Sequence, residues 1–255
     1  MDPRAFAYFL ELHNGLPRQA PGGREHTLKA LSLVPDLPLR PRIIDLGCGP
    51  GAQSLDLLEA VEGSMVLAVD NLPPMLDTLR ARAEAAGVQD RLTIVEADMA
   101  DLPPAVHPAT FHLVWSEGAA YNMGFDAALR AWRHLLMPGG FIALTELTWR
   151  VPEDEAPEAA RAFFAQEYPG MRAHEANLAG FEAAGYELSG SFFLPASAWL
   201  EPYYGPLLER LPAFEAAHGG DEIAGLVAKM ERQEIEVFQE HGDSYGYAFY
   251  VGRMR

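Results

Sequence analysis

One nine-residue run, Ile43-Ile44-Asp45-Leu46-Gly47-Cys48-Gly49-Pro50-Gly51, restricts the folds open to this chain more than any other feature. A short apolar strand empties into three glycines spaced two apart, and a helical segment follows. Glycine there lets the backbone adopt positive φ and approach a ligand closely. In an open parallel sheet, that is the edge where ligands bind. The surrounding pattern agrees. Short runs rich in Val, Ile, Leu and aromatics, each bounded by turn residues, predict strands over 41–46, 64–70, 91–96, 111–116 and 140–147. Helical stretches fall between them at 51–61, 73–86 and 124–136. Pro73-Pro74 suits a first helical turn, Gly87 suits a helix end, and Pro138 is expected to stop the third helix before Gly139-Gly140 turns the chain. Alternating units of this length predict an α/β fold, a parallel sheet with helices on both faces.

The remaining chain has a different texture. A helix at 24–34 and a loop at 15–23 precede the first strand. Beyond 150, helices at 156–168 and 172–184, a strand at 186–194 and a long helical stretch at 197–240 lead to an aromatic strand at 245–252, expected to pair antiparallel. The acidic segment 221–240 reads as an amphipathic helix with a solvated charged face and an apolar face that includes Leu226, Met230, Ile235 and Phe238. Hydrophobic residues make up 49% of the chain and charged residues 22%, which is enough for a core and excludes wholesale disorder. Cys48 is the single cysteine, so neither a disulfide scaffold nor a cysteine-based zinc site is expected, and no histidine grouping suggests a metal. A net charge of −17, without any Lys/Arg-rich run, disfavours nucleic acid and anionic membranes as partners. With no signal-like N-terminus and no apolar run of about 18 residues, the expected address is the cytoplasm.

The glycine turn alone does not decide its ligand, because Gly47-x-Gly49-x-x-Ala52 also fits a dinucleotide fingerprint. Asp45 tips the balance. A pyrophosphate beside that carboxylate would be repelled, by about 1 kcal/mol or more at 4 Å. A ligand carrying a sulfonium and an ammonium would be attracted, and S-adenosyl-L-methionine (SAM) is such a ligand. Asp70, ending the second strand, is placed to accept from both ribose hydroxyls, although NAD carries that ribose too. Asp98 is placed to accept from the adenine amino group, with Met99 and Leu72 against the ring faces.

Asp45-Leu-Gly-Cys-Gly-Pro-Gly51, Asp70, Ala97-Asp98-Met99 and Leu136-Met-Pro-Gly-Gly140 resemble the class I, seven-stranded SAM-dependent methyltransferase superfamily. The small-molecule branch, with its ubiquinone/menaquinone-type enzymes, is the most similar. The resemblance implies a doubly wound sheet of order 3-2-1-4-5-7-6 with strand 7 antiparallel. It implies one domain over 1–255: an N-terminal helical lid (1–40), a SAM-binding core (41–147) and acceptor-side helices with the final strands (148–255). It further implies that Asp45, Gly47, Gly49 and Gly51 line the methionine portion of SAM, that Asp70 takes the ribose, that Asp98 and Met99 take the adenine, and that Asn71 and Leu72 also belong to the cofactor set. Cys48 and Ser116 complete the cofactor set, Cys48 as a small residue facing or backing it.

Glu117 and Tyr121, after the fourth strand, are the candidate catalytic residues. Glu117 would act as a base towards the acceptor or as an anchor for the cofactor's ammonium. Glu146 is a further candidate of the same kind. Trp115, Tyr121, Trp149, Trp199, Tyr203 and Tyr204 are expected to wall a pocket for a planar or apolar acceptor. His13 and the stretch Arg18–Gly23 are candidates for a lid. The segment after strand four lacks the Asn/Asp-Pro-Pro-Tyr/Phe type motif of nucleic-acid amino-methyltransferases. The expected activity is methyl transfer from SAM to a small molecule, yielding S-adenosyl-L-homocysteine (SAH), by a monomer or homodimer. A non-catalytic SAM-binding partner protein and an NAD(P)-dependent oxidoreductase are the alternatives.

Overall fold

Adjacent residues of the central strands point into different cores, and this alternation builds the molecule. In the computed structural model, which describes residues 2–255, Ile43 of β1 (Arg42–Leu46) packs into one hydrophobic cluster and Ile44 into another. Leu113 and Val114 of β4 (Phe111–Ser116) divide in the same way, as do Ala143 and Leu144 of β5 (Leu136–Trp149). A period of two puts successive side chains on opposite faces, so a strand apolar at every position needs cover on both.

The chain runs α1 (Pro3–His13), α2 (Arg24–Leu31), β1, α3 (Ala52–Ala60), β2 (Met65–Asp70), α4 (Pro73–Ala85), β3 (Leu92–Glu96), β4, α5 (Phe125–Trp132) and β5. It continues through α6 (Glu158–Glu167), β6 (Arg172–Ala173), α7 (His174–Ala183), β7 (Tyr186–Phe193), α8 (Ser197–Trp199), α9 (Gly205–Ala217), α10 (Glu222–His241) and β8 (Tyr245–Met254). The sheet order is β3-β2-β1-β4-β5-β8-β7, with the two-residue β6 attached to β5. Pairs from β3 to β5 are parallel, and β8 is antiparallel to both β5 and β7. Apart from β6, this is the order expected from the sequence.

Three local expectations change. The third core helix ends as an α-helix at Trp132 and tightens into a 3₁₀ turn, Arg133–Leu135. Pro138 therefore does not stop a helix: it lies inside β5, where a register shift between Phe111 and Leu113 of β4 absorbs Met137–Gly140. The stretch 197–240 is broken rather than continuous. A π-helical turn, Leu200–Tyr204, joins α8 to α9, and Asp221 caps α10 by accepting from the Ile223 and Ala224 amides at 3.0 and 3.3 Å. Finally, α10 buries only part of its expected apolar face, keeping Ile235 and Phe238 inside. Leu226 and Met230 are exposed, whereas Glu231 is buried with Ala224, Val227, Ile235 and Phe238. Among the described residues, no helix is long and apolar enough to cross a membrane.

Candidate functional site

The glycines after β1 do three different jobs. All have positive φ: +73° at Gly47, +52° at Gly49 and +82° at Gly51. A Cβ on Gly47 would lie 2.3 Å from the Cβ of Ala119, and one on Gly51 would lie 2.0 Å from Leu79 Cδ1. Those two glycines admit the neighbouring loop and helix α4. At Gly49 nothing lies within 3.7 Å of the same point, so its backbone is bare towards the cleft. Its amide donates to Asp70 Oδ2 at 2.8 Å, and the Leu72 amide donates to Oδ1 at 3.0 Å. Asp70 is thereby fixed at the end of β2 with lone pairs left on both oxygens. Burial raises its carboxyl above the usual range, against the pull of those amides.

A cavity of about 730 Å³ opens over this edge of the sheet. Of the sequence-predicted cofactor residues, Gly47, Cys48, Gly49, Asp70, Asn71, Leu72, Asp98 and Met99 border it, as do both candidate catalytic residues, Glu117 and Tyr121. Asp98 closes a turn by accepting from the Ala100 amide at 2.8 Å, and Trp132 donates to the Met99 carbonyl at 3.1 Å. Burial pushes the Cys48 thiol up, which disfavours the reactive thiolate.

Other expected residues lie behind the wall. Asp45 is fully buried, accepting from Ser54 Oγ and from Gln53 Nε2, and desolvation raises its carboxyl to about 7. It braces the start of α3 and does not border the cavity. Gly51 faces Leu79, and Ser116 Oγ donates to the Leu46 carbonyl at 2.9 Å, tying β4 to β1. Of the six aromatic residues expected to wall an acceptor pocket, Tyr121 alone borders the cavity. Trp115, Trp149, Trp199, Tyr203 and Tyr204 belong to the core cluster. The reason is the company offered by β8 and α10: Trp149 packs edge-on against Tyr245, while Trp199 stacks on Phe238 of α10 at 4.4 Å and on Tyr247 of β8 at 5.4 Å.

Glu117 is the most elaborately held group in the cleft. Its Oε1 accepts from Thr27 Oγ1 at 2.8 Å and from Trp115 Nε1 at 2.9 Å, and its Oε2 from Arg18 Nη1 at 3.2 Å. Burial raises its carboxyl, opposed chiefly by Arg18. The other arm of Arg18 reaches Asp56 on α3. The stretch 15–23 is thus a strap pinned across the cleft. Gln19, Ala20 and Pro21 line the cavity, and a Cβ on Gly118 would lie 2.4 Å from the Ala20 Cβ. Helix α1 adds Phe6, Phe9 and Leu10 to the wall. Sequence reasoning missed these three; apolar residues on a helix ahead of the first strand were the available signal. His13 is fully buried, hydrogen-bonded to Glu231 at 3.1 Å and stacked on Phe9 at 4.0 Å, so it fastens α1 and does not face the cleft.

Residues 43–140 match the methyltransferase domain family. A trans-aconitate 2-methyltransferase from Acidovorax sp. (strain JS42) is 35% identical over 126 residues, covering 47% of this chain and 44% of that protein. A demethylmenaquinone methyltransferase from Thermus thermophilus is 35% identical over 106 residues, covering 41% and 46%. The chain thus spans less than half the length of these two relatives. A SAM-dependent methyltransferase from Thiobacillus denitrificans, solved with SAH, superimposes with a TM-score of 0.80 over the full length of both chains at 21% identity.

Proposed function

We propose that this chain, with its methyltransferase-family segment at 43–140 and the fold of the class I enzymes, moves a methyl group from SAM to a small molecule. One observation carries the reading: the charge of the cleft. Asp70, Asp98 and Glu117 line it, and its one lining cation among the described residues, Arg18, is already paired with Glu117 and Asp56. A dinucleotide's pyrophosphate would meet uncompensated carboxylates, whereas a sulfonium and an ammonium would be drawn in.

The residues fit the cofactor. Each Asp70 oxygen already accepts one amide and has capacity for a ribose hydroxyl. Leu72 and Met99 offer apolar flanks for a purine, and Asp98 an acceptor for its amino group. The bare backbone at Gly49 and the strap residues Gln19 and Ala20 enclose the remaining portion. When bound, SAM supplies an electrophilic methyl with a neutral thioether as leaving group. The chain's own task is to align, to exclude water and, for an acceptor bearing a proton, to take it up. With three donors already satisfying its carboxylate, Glu117 serves better as an anchor for the strap and the cofactor's ammonium than as a base. Cytoplasmic placement, without nucleic-acid or membrane partners and as a monomer or homodimer, is part of the same proposal; the charge of −17 and the lack of a basic run support it.

Calorimetry with SAH, SAM and NAD(P) tests the reading. Saturable SAH and SAM binding with no nicotinamide binding is the expected result; the reverse pattern would overturn it.

A further inference from the structure

Helix α10 buries the wrong residues for a helix held by hydrophobicity alone. Glu231 and the half-buried Glu234 turn inward, while Leu226 and Met230 are 58% and 47% exposed. Glu231 is matched by His13, but Glu234 accepts only from the Tyr204 hydroxyl, at 2.8 Å. On the opposite face of the sheet, Glu146 of β5 is 1% exposed. Its Oε1 accepts from the Tyr168 hydroxyl, and its Oε2 has no partner at all. Tyr168 packs edge-on against Tyr121 at 5.8 Å, and Tyr121 borders the cleft with 38% of its surface open. Burial raises the Glu146 carboxyl to about 8 and the Glu234 carboxyl to about 7, and both carboxylates act on the Tyr121 hydroxyl.

Among the described residues, no cation pairs with either acid. The guanidinium acting on Glu146, that of Arg172, is held by both oxygens of Asp126 at 2.6 and 3.2 Å and by Asn177 at 3.0 Å. A buried carboxylate without a cation or a full set of donors is costly, and a positive charge at the Tyr121 end of the cleft would offset that cost, although neither acid itself borders the cavity.

We propose that the end of the cleft around Tyr121 and Tyr168 is the acceptor subsite, and that Glu146 and Glu234 select an amine there and reject carboxylates. This rests on the SAM reading above. The tyrosine rings supply a face for an ammonium, and the two acids its countercharge. The ammonium yields one proton to the Tyr168 hydroxyl, which passes its own to Glu146 Oε1. The freed nitrogen lone pair then forms the N–C bond as the C–S bond breaks, its electron pair passing to sulfur to give the thioether of SAH. The product leaves as a methylated ammonium, and the carboxylic acid returns its proton to water.

The test uses the full chain loaded with SAH, after SAH binding has been measured separately; absence of that binding would sink the SAM reading, not this one. Phenethylamine and ethanolamine are titrated against 3-phenylpropionate, the near-isosteric anion of the first, in two buffers of different ionisation enthalpy at pH 7. At least one amine is expected to bind tenfold or more tighter than 3-phenylpropionate, releasing protons as the two carboxyls ionise. Glu146→Gln and Glu234→Gln should each shrink that preference fivefold or more while SAH affinity stays unchanged. With SAM in place of SAH, the amine that binds should be methylated and trans-aconitate should not. Failure of both amines to bind, tighter binding of 3-phenylpropionate, turnover of trans-aconitate, or an unaltered preference in both variants would each overturn the proposal.

Discussion

Two pairs of carboxylates, each with one buried and one half-buried member, are treated by the chain in opposite ways. Asp45 and Asp70 belong to the glycine turn and the strand beside it. Their donors are the turn's own backbone amides and the first side chains of α3. Glu146 and Glu234 lie beyond, on β5 and α10, where each accepts from one tyrosine hydroxyl, Tyr168 just after α6 and Tyr204 in the π-helical turn. The first pair organises a loop. The second leaves negative capacity unspent next to an open ring, Tyr121. The first pair therefore builds the frame of the cleft, with Asp70 keeping lone pairs free for a ligand, and the second marks where a positive partner has yet to contribute.

The sharpest way to break the comparison is at the frame. Gly51→Ala would place a methyl 2.0 Å from Leu79 Cδ1 at φ +82°. Strain and overpacking together should destabilise the fold by about 3 kcal/mol or more in urea denaturation. An unchanged midpoint would show that α4 is free to move.

Next comes the pH dependence of the unsaturated pair. The folded Glu146 carboxyl titrates near 8, well above the ordinary 4.5. A raised carboxylate favours the fold while protonated, so its contribution is complete below about pH 4.5 and is lost as pH climbs through 8. Glu146→Gln, which cannot ionise, should be progressively favoured over the parent across that window, by about 2–4 kcal/mol at pH 9. Parallel denaturation curves for the two proteins from pH 5 to 9 would refute the assignment.

Asp70→Ala removes the acceptor for two amides and, in the proposed complex, for the ribose. SAH affinity should fall at least tenfold, about 1.5–3 kcal/mol for each charge-assisted bond lost, with the fold retained. The smallest effect should come from Glu117→Gln. The amide keeps acceptance from Thr27 and Trp115 and loses the charge facing Arg18, so SAH affinity should weaken by no more than about tenfold. Saturated turnover should stay nearly intact. A loss of 10²–10⁴ in turnover at unchanged affinity would instead make Glu117 a base.

The core strands and the cleft residues at the ends of β1, β2 and β3 were legible because each is written locally, whereas the strand order came from the family resemblance. Alternation shows a strand, glycine spacing shows a turn, and an acid at a strand's end falls at the ligand-binding edge. Trp149, Trp199, Tyr203 and Tyr204 were not legible in this way. An aromatic residue in a helical insertion serves a core as well as a pocket, and only the rings brought up by β8 and α10 decided for the core. Asp45 was read as a lining residue, yet Gln53 and Ser54, eight and nine residues on along the next helix, draw its carboxylate behind the turn.

Sequence by itself determined the period-two strands, the positive-φ turn and the negative character of the cleft, since all three follow from residue type and near-neighbour spacing. Tertiary structure alone decided which face of α10 turns inward, how Arg18 pins the strap to Glu117 and Asp56, and that Glu146 and Tyr168 meet beneath Tyr121. Those outcomes depend on contacts between elements far apart in the chain. There the summed packing of two cores outweighs any one segment's hydrophobic pattern, and a helix settles with two glutamates on its inner side.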